Sequence, residues 1–386
     1  MPITAYSQKF ERELDPDQLL SLLGYNLDSD PNLKNIPKSL RDYIHSDLRC
    51  PECGTDGGII VSRSTSRDGS IKLAHAIRQS HFRFLARDSS ESTHHPLCIY
   101  HDDSKPKSQK ESLVDFNRTT RSFTTQMVRD LVARGVEQKI FSQRTIRAMR
   151  QWFFDTKVEN QFKLELPQEA IPYTFKLFRL VGSGSASFNP VHAELPDFDW
   201  KHAAECQFAR ENSVLINLAD TLRKKCYYKA KKRAETLVKR TQGKEVFDVT
   251  VLADQYRQTI KLAGFMKRNL RVLDRRFKFF EYSLHEKKEL APVVAIAALL
   301  LYTSSWNFDQ AVMSLVKIIK APPPSDMNAG NIVGLNPFHD FAAWANIMVA
   351  KELTEHSSFI GFDIDAQLSS TELQLREQFS QWKQSQ

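Results

Sequence analysis

Cys50-Pro51-Glu52-Cys53, answered about 45 residues later by Cys98-Ile99-Tyr100-His101, decides the reading of the amino-terminal part of the chain. A C-x2-C pair and a C-x2-H pair at this distance suit one tetrahedral zinc. Each pair clips a tight turn onto the ion, and the second pair closes the intervening chain into a loop. The expected ligands are Cys50, Cys53, Cys98 and His101, with His81, His94 and His95 competing for the histidine place. A closed set of four such ligands is structural. A catalytic zinc needs an open position and a neighbouring base, and neither H-x-E nor H-E-x-x-H occurs.

Working outward, the enclosed residues read as β-rich. Gly58-Ile-Ile-Val61 is a short apolar strand, Asp68-Gly69 is a hairpin turn signal, and Ile71 with Leu73 alternates after it. His81-Phe82-Arg83-Phe84-Leu85 alternates again. Knuckle, hairpin and second ligand pair together predict a zinc-ribbon-like module over 49–103, with zinc supplying stability that so small a core lacks. The CPECG knuckle followed by β segments and His81-Phe82-Arg83-Phe84 resembles the amino-terminal module of competence CoiA-like proteins. That resemblance covers about 50 residues. It implies a following restriction-like nuclease domain, whose metal is held by an Asp and a Glu-x-Lys on adjacent strands. The chain shows no convincing set of that kind.

The whole chain has 386 residues, 41% of them hydrophobic, enough for two or three domains with their own cores. Five cysteines, three of them in ligand spacing, fit a reduced, cytoplasmic protein better than a disulfide framework. The first residues carry no apolar segment of the secretory kind. The most apolar run, Ala291–Tyr302, is a dozen residues, short of the roughly 20 that a membrane span needs, so a buried core helix is expected and no membrane partner.

The expected fold is mainly α: a multi-helix domain with a long antiparallel helical hairpin, plus the β-rich zinc module. Residues 1–48 read as a helical lead-in, with Pro16 opening a helix, and 113–200 as a helical region divided by Gly135. Within it, 123–154 suggests a helix-turn-helix whose second helix projects Arg144, Arg147 and Arg150. Residues 162–180 are ambiguous, with a β-prone end at Thr174–Leu180. Residues 205–386 form the last domain. Its 211–285 stretch reads as two long helices joined near Thr241-Gln242-Gly243.

Charge is local. Residues 221–240 carry nine Lys/Arg and one Glu, and 257–279 carry eight Lys/Arg and one Asp, together +15 of a net +8, which leaves the rest at −7. On a helical wheel, Leu262, Met266, Leu270, Leu273, Phe277, Phe280 and Leu284 oppose Arg257, Lys261, Lys267, Arg268, Arg271, Arg275 and Lys278. In the first window Arg223, Lys224, Lys225, Lys231 and Lys232 are spread around the helix, with Tyr227 and Tyr228 among them, which suit either stacking on bases or core packing. Such stripes fit a phosphate backbone. The expectation is a non-enzymatic, zinc-containing nucleic-acid-binding protein, with DNA favoured over RNA. The alternatives are a metal-dependent nuclease with degenerate motifs, or a scaffold subunit of a larger assembly meeting an acidic partner. No P-loop, G-x-S-x-G or dinucleotide fingerprint is present.

Overall fold

In the computed structural model the chain divides into two units, and each is built around one helix apolar on nearly every side. The described residues are 2, 4–30, 32–62, 64–65, 76–78, 80–85, 92–98, 100–101, 112–115, 123–184, 186–270, 290–326 and 333–386. Among them are thirteen α-helices and a few small sheets. One unit comprises Met1–Phe162, Glu245–Phe247 and Val251–His339; the other comprises Lys163–Lys244, Asp248–Thr250 and Asp340–Gln386. The polar, proline-containing stretch 102–112, which reads as a linker, lies outside the described residues except for Ser112, the first residue of strand Ser112–Asp115, and the hairpin tip at Asp68-Gly69, with Ile71 and Leu73, lies outside them too.

In the first unit the lead-in is no separate element. Strands Ala5–Ser7 and Arg12–Leu14, which period reading missed, form a three-stranded sheet with Leu48–Arg49, Ala5–Ser7 in the centre. Three-residue strands are too short to show a period. Helix Pro16–Leu22 starts as expected: Asp15 accepts from the Gln18 amide at 2.8 Å, and Gln18 Oε1 accepts from the Asp15 amide at 3.1 Å, a reciprocal cap. Helix Lys38–Asp47 then delivers the chain to Cys50. Gly58–Val61 pairs antiparallel with His81–Phe84, Gly58 opposite Phe84 and Val61 opposite His81. Gly58 is required by closeness, since a Cβ there would lie 2.9 Å from Leu48 Cβ and 3.0 Å from the Phe84 ring.

The rest of that unit is helical. Ala291–Thr303 is buried from Pro292 to Leu301, and helices Phe123–Glu137, Gln143–Glu159, Ala253–Asn269 and Phe308–Lys320 pack around it. This is why its sequence has no polar face. Among the described residues no single helix is long and apolar enough to cross a membrane; Ala291–Thr303 and Phe308–Lys320 pass that test only as a pair bent by 115°.

Gly135 does not break its helix, which runs on to Glu137. It makes room: a Cβ at 135 would stand 2.3 Å from Phe141 Cζ. The two consecutive helices expected over 123–154 are present, but the arginine face is not a groove-facing one. Arg147 lies over the Tyr6 ring at 3.5 Å, and Arg150 is buried in an ion pair with Glu13, leaving only Arg144 exposed.

The second unit centres on Phe341–Glu355, buried from Phe341 to Ile347, with Ala170–Leu180, Ser213–Arg223 and Lys231–Thr241 packed on it. Ile364–Gln384 packs on Trp200–Glu211. The β-prone Thr174–Leu180 is helical because burial on nearly every face erases any period. The long hairpin is absent from the described residues. Its first arm is broken at Tyr227, whose amide donates to Asn346 Oδ1 at 2.8 Å and whose carbonyl accepts from Asn346 Nδ2 at 2.9 Å. Asn346 is fully buried. The join expected near Thr241-Gln242-Gly243 is present: after Gly243 (φ +71°), whose amide bonds Leu164 O at 2.8 Å, the chain enters strand Glu245–Phe247.

Gly135→Ala tests the packing at Phe141. Alanine in a helix interior ordinarily adds roughly 1 kcal/mol of stability over glycine. Here overpacking against the ring reverses the sign, and denaturant titration is expected to show a loss of about 1–3 kcal/mol.

Candidate metal centre

Chain reversal at each end of the module brings the ligands together. After Leu48–Arg49 the chain turns at Pro51–Gly54: the Cys50 amide bonds Thr55 O at 2.8 Å, and the Gly54 amide bonds Cys50 O at 3.1 Å. Gly54 carries the positive φ (+71°) that this turn requires. At the other end the Cys98 amide bonds His95 O at 2.8 Å, and the His101 amide bonds Cys98 O at 3.0 Å.

These turns aim four atoms at one point. Among the described residues, Cys50, Cys53, His94 and Cys98 form the one group able to hold a metal ion, its ligand atoms all within 4.8 Å of one another. Cys50 Sγ stands 3.9 Å from Cys98 Sγ. His94 Nδ1 stands 3.4 Å from Cys53 Sγ and 3.6 Å from Cys98 Sγ. With Zn–S near 2.3 Å and Zn–N near 2.0–2.1 Å, a tetrahedral site has edges of about 3.8 Å between sulfurs and about 3.6 Å between sulfur and nitrogen. The donor set and its spacing therefore fit zinc.

The histidine differs from the expectation. His94, a competitor in the sequence, joins the three cysteines, and His101 does not. The turn after Cys98 places His101 Nδ1 against the His94 carbonyl oxygen at 2.7 Å, so His101 holds the backbone of the ligand. His95 accepts from the Leu97 amide at 3.2 Å through Nδ1 and packs edge-on against Phe154. His81 sits in its strand opposite Val61. The only signal for His94 in the sequence is its distance from Cys98, four residues. The Phe84 ring meets the His94 ring edge-on at 5.2 Å, so the residue that ends the His-Phe-Arg-Phe stretch supports the ligand.

Electrostatics favour a cation at this point. Hydrogen bonds from the Cys50 and Cys98 thiols hold Cys53 far below the usual thiol range, while burial pushes Cys50 and Cys98 up. Three such sulfurs do not all ionise without a counter-charge, and a divalent ion supplies one. Glu52 lies inside the knuckle, its amide 3.5 Å from Cys50 Sγ and its Oε2 3.4 Å from Cys98 Sγ. Lys157, 1% exposed, reaches up from Gln143–Glu159 to Glu52 Oε1 at 2.5 Å and Leu97 O at 3.1 Å. Arg147, Arg150, Phe154 and Lys157 recur every three or four residues, so one face of that helix meets both the amino-terminal sheet and the module.

The two basic windows belong to different units. Arg271, Arg275 and Lys278, with Leu273, Phe277, Phe280 and Leu284, lie outside the described residues. Arg257 pairs with Asp254, and Lys261 covers the Phe308 ring at 4.3 Å. Lys267 is half-buried and Arg268 exposed. In the other window Arg223 pairs with Asp220, and Lys231 covers the Phe175 ring at 5.3 Å; Lys224, Lys225 and Lys232 are exposed. Asp363 caps Ile364–Gln384 and Asp365 pairs with Lys176, so neither is set apart for a metal. Cys206 donates to Ser183 O at 2.7 Å, and burial pushes the Cys226 thiol up to about 12.

Comparison with protein-family models, with curated proteins and with solved structures returned no match.

The ligand assignment separates two variants. His94→Ala is expected to abolish stoichiometric zinc, whereas His101→Ala retains it, as read by metal analysis of the gel-filtered protein. Lys157→Met strands the Glu52 carboxylate among thiolates and is expected to cost about 3–5 kcal/mol in denaturant titration, with Glu52→Gln in the same chain recovering part of the loss.

Proposed function

We propose that this chain is a zinc-containing, non-enzymatic nucleic-acid-binding protein, its zinc held by Cys50, Cys53, His94 and Cys98. The observation that carries the metal assignment is the tetrahedral spacing of those four donor atoms. Four protein ligands leave no open coordination position, so the ion fastens rather than catalyses. It joins the turn at Cys50 to the turn at Cys98 and, through Glu52 and Lys157, ties both to Gln143–Glu159.

Support for the partner class comes from charge. A net charge of +8 concentrated in two short windows favours an anion, and phosphates are contacted by lysine and arginine without any reading of bases. Lys224, Lys225 and Lys232 are exposed, which supports such contacts. The resemblance of the knuckle and its β segments to the CoiA-like module is in keeping with a nucleic-acid setting, and DNA is the favoured partner.

One preparation tests both halves. One zinc per chain is expected. Chelation lowers the unfolding midpoint, and added zinc restores it, because ligand binding to the native state stabilises it. Binding of a labelled DNA fragment is expected to weaken linearly in log Kd against log salt. Binding that is indifferent to salt, or absent at low salt, sinks the nucleic-acid half and leaves the metal half standing.

A further inference from the structure

Residues 223–233 read Arg-Lys-Lys-Cys-Tyr-Tyr-Lys-Ala-Lys-Lys-Arg, seven cations and no acid. The structure places an aromatic ring in their midst. Tyr228 is 58% exposed, an unusual position for a ring that packs on other rings. It meets Phe175 edge-on at 5.4 Å and Phe178 at 6.4 Å, and both of those are buried. Its backbone neighbour Tyr227 is pinned through both amide and carbonyl to the buried Asn346. The ring is thus fixed from behind and open in front.

The cations around it divide into two kinds. Arg233 makes two hydrogen bonds to Asp340, at 3.0 and 2.5 Å, and Lys231 lies over Phe175, so both help to build the fold. Lys224 and Lys232, before and after the tyrosine, stand in solvent. Lys225 is 4.0 Å from Glu352, both exposed, a pair worth little.

We propose that Tyr228 is a stacking platform for a base of single-stranded nucleic acid, with Lys224 and Lys232 contacting the flanking phosphates. The inference rests on the nucleic-acid reading above and narrows it to strand type. Charge complementarity selects a polyanion, and the open ring selects unpaired bases. A duplex keeps its base faces stacked inside, so it has nothing to lay on Tyr228, whereas every base of a single strand has a free π-face. An acidic protein would use the lysines and leave the ring idle.

The test is fluorescence anisotropy of the full chain with labelled single-stranded DNA, single-stranded RNA and duplex DNA of mixed sequence, over a range of salt. Single strands are expected to bind tighter than the duplex, and the DNA and RNA arms identify the natural strand. Tyr228→Phe keeps the ring and is expected to bind as the parent does. Tyr228→Leu keeps a large apolar side chain against Phe175 but removes the π-face, and is expected to lose about tenfold in affinity, the stacking of one base. Lys224→Ala with Lys232→Ala is expected to flatten the log Kd against log salt slope by about 1.4, two phosphates on a single strand. Equal or tighter duplex binding, or Tyr228→Leu binding as the parent does, overturns the platform while the nucleic-acid reading stands. Failure of all three probes to bind at low salt overturns both.

Discussion

Three sulfurs and one imidazole nitrogen are brought within 4.8 Å of one another in a buried place, and the amino-terminal module depends on balancing the charge they carry. A zinc ion held by three thiolates would carry a net charge of −1, and Glu52 beside them would add another. Lys157 answers that surplus from a different element, and it is as deeply buried as the ligands. The centre is therefore more than a local clip. The same ion pair that relieves it fixes where the helix Gln143–Glu159 lies against Glu52 and Leu97.

That helix is held in register by a second buried pair, Arg150 with Glu13, and by Arg147 over Tyr6. Buried ion pairs contribute little net stability over apolar packing, but removing one partner is costly, so they penalise a shifted helix. Phe154 on the same face joins Phe82, Phe84, Leu48 and Cys50 in one apolar cluster. Apolar burial supplies the adhesion and the charges supply the alignment. In the second unit Asn346 does comparable work. One buried amide satisfies both backbone groups of Tyr227 and so stops a helix in a segment whose composition would otherwise continue it.

Strong local signals were legible. Pro16 with Asp15 opened a helix, Gly58–Val61 and His81–Phe84 were strands, and Ala291–Tyr302 was a core helix rather than a span. Each of these is set by neighbours in sequence: a cap, an alternation, an unbroken apolar run. The failures come from contacts that no pattern of spacing records, one of them close in the chain and the others distant. Gly135 looked like a breaker because its demand is steric, from Phe141. Arg147 and Arg150 looked like a groove-reading face because Tyr6 and Glu13 are more than a hundred residues away. The first arm of the 211–285 hairpin looked continuous because Asn346, which interrupts it, lies outside the segment.

The metal centre divides along the same line. Composition and spacing alone determined that Cys50, Cys53 and Cys98 belong together, since thiolates in short turns have few other uses in such a pattern. They also determined that one histidine of a small set completes the four. Only the tertiary structure decided that it is His94. A histidine's role depends on which way the turn after Cys98 points its ring, and that turn sets His101 Nδ1 against the carbonyl of His94. Sequence spacing fixes which donors can meet; the direction of the backbone between them fixes which do.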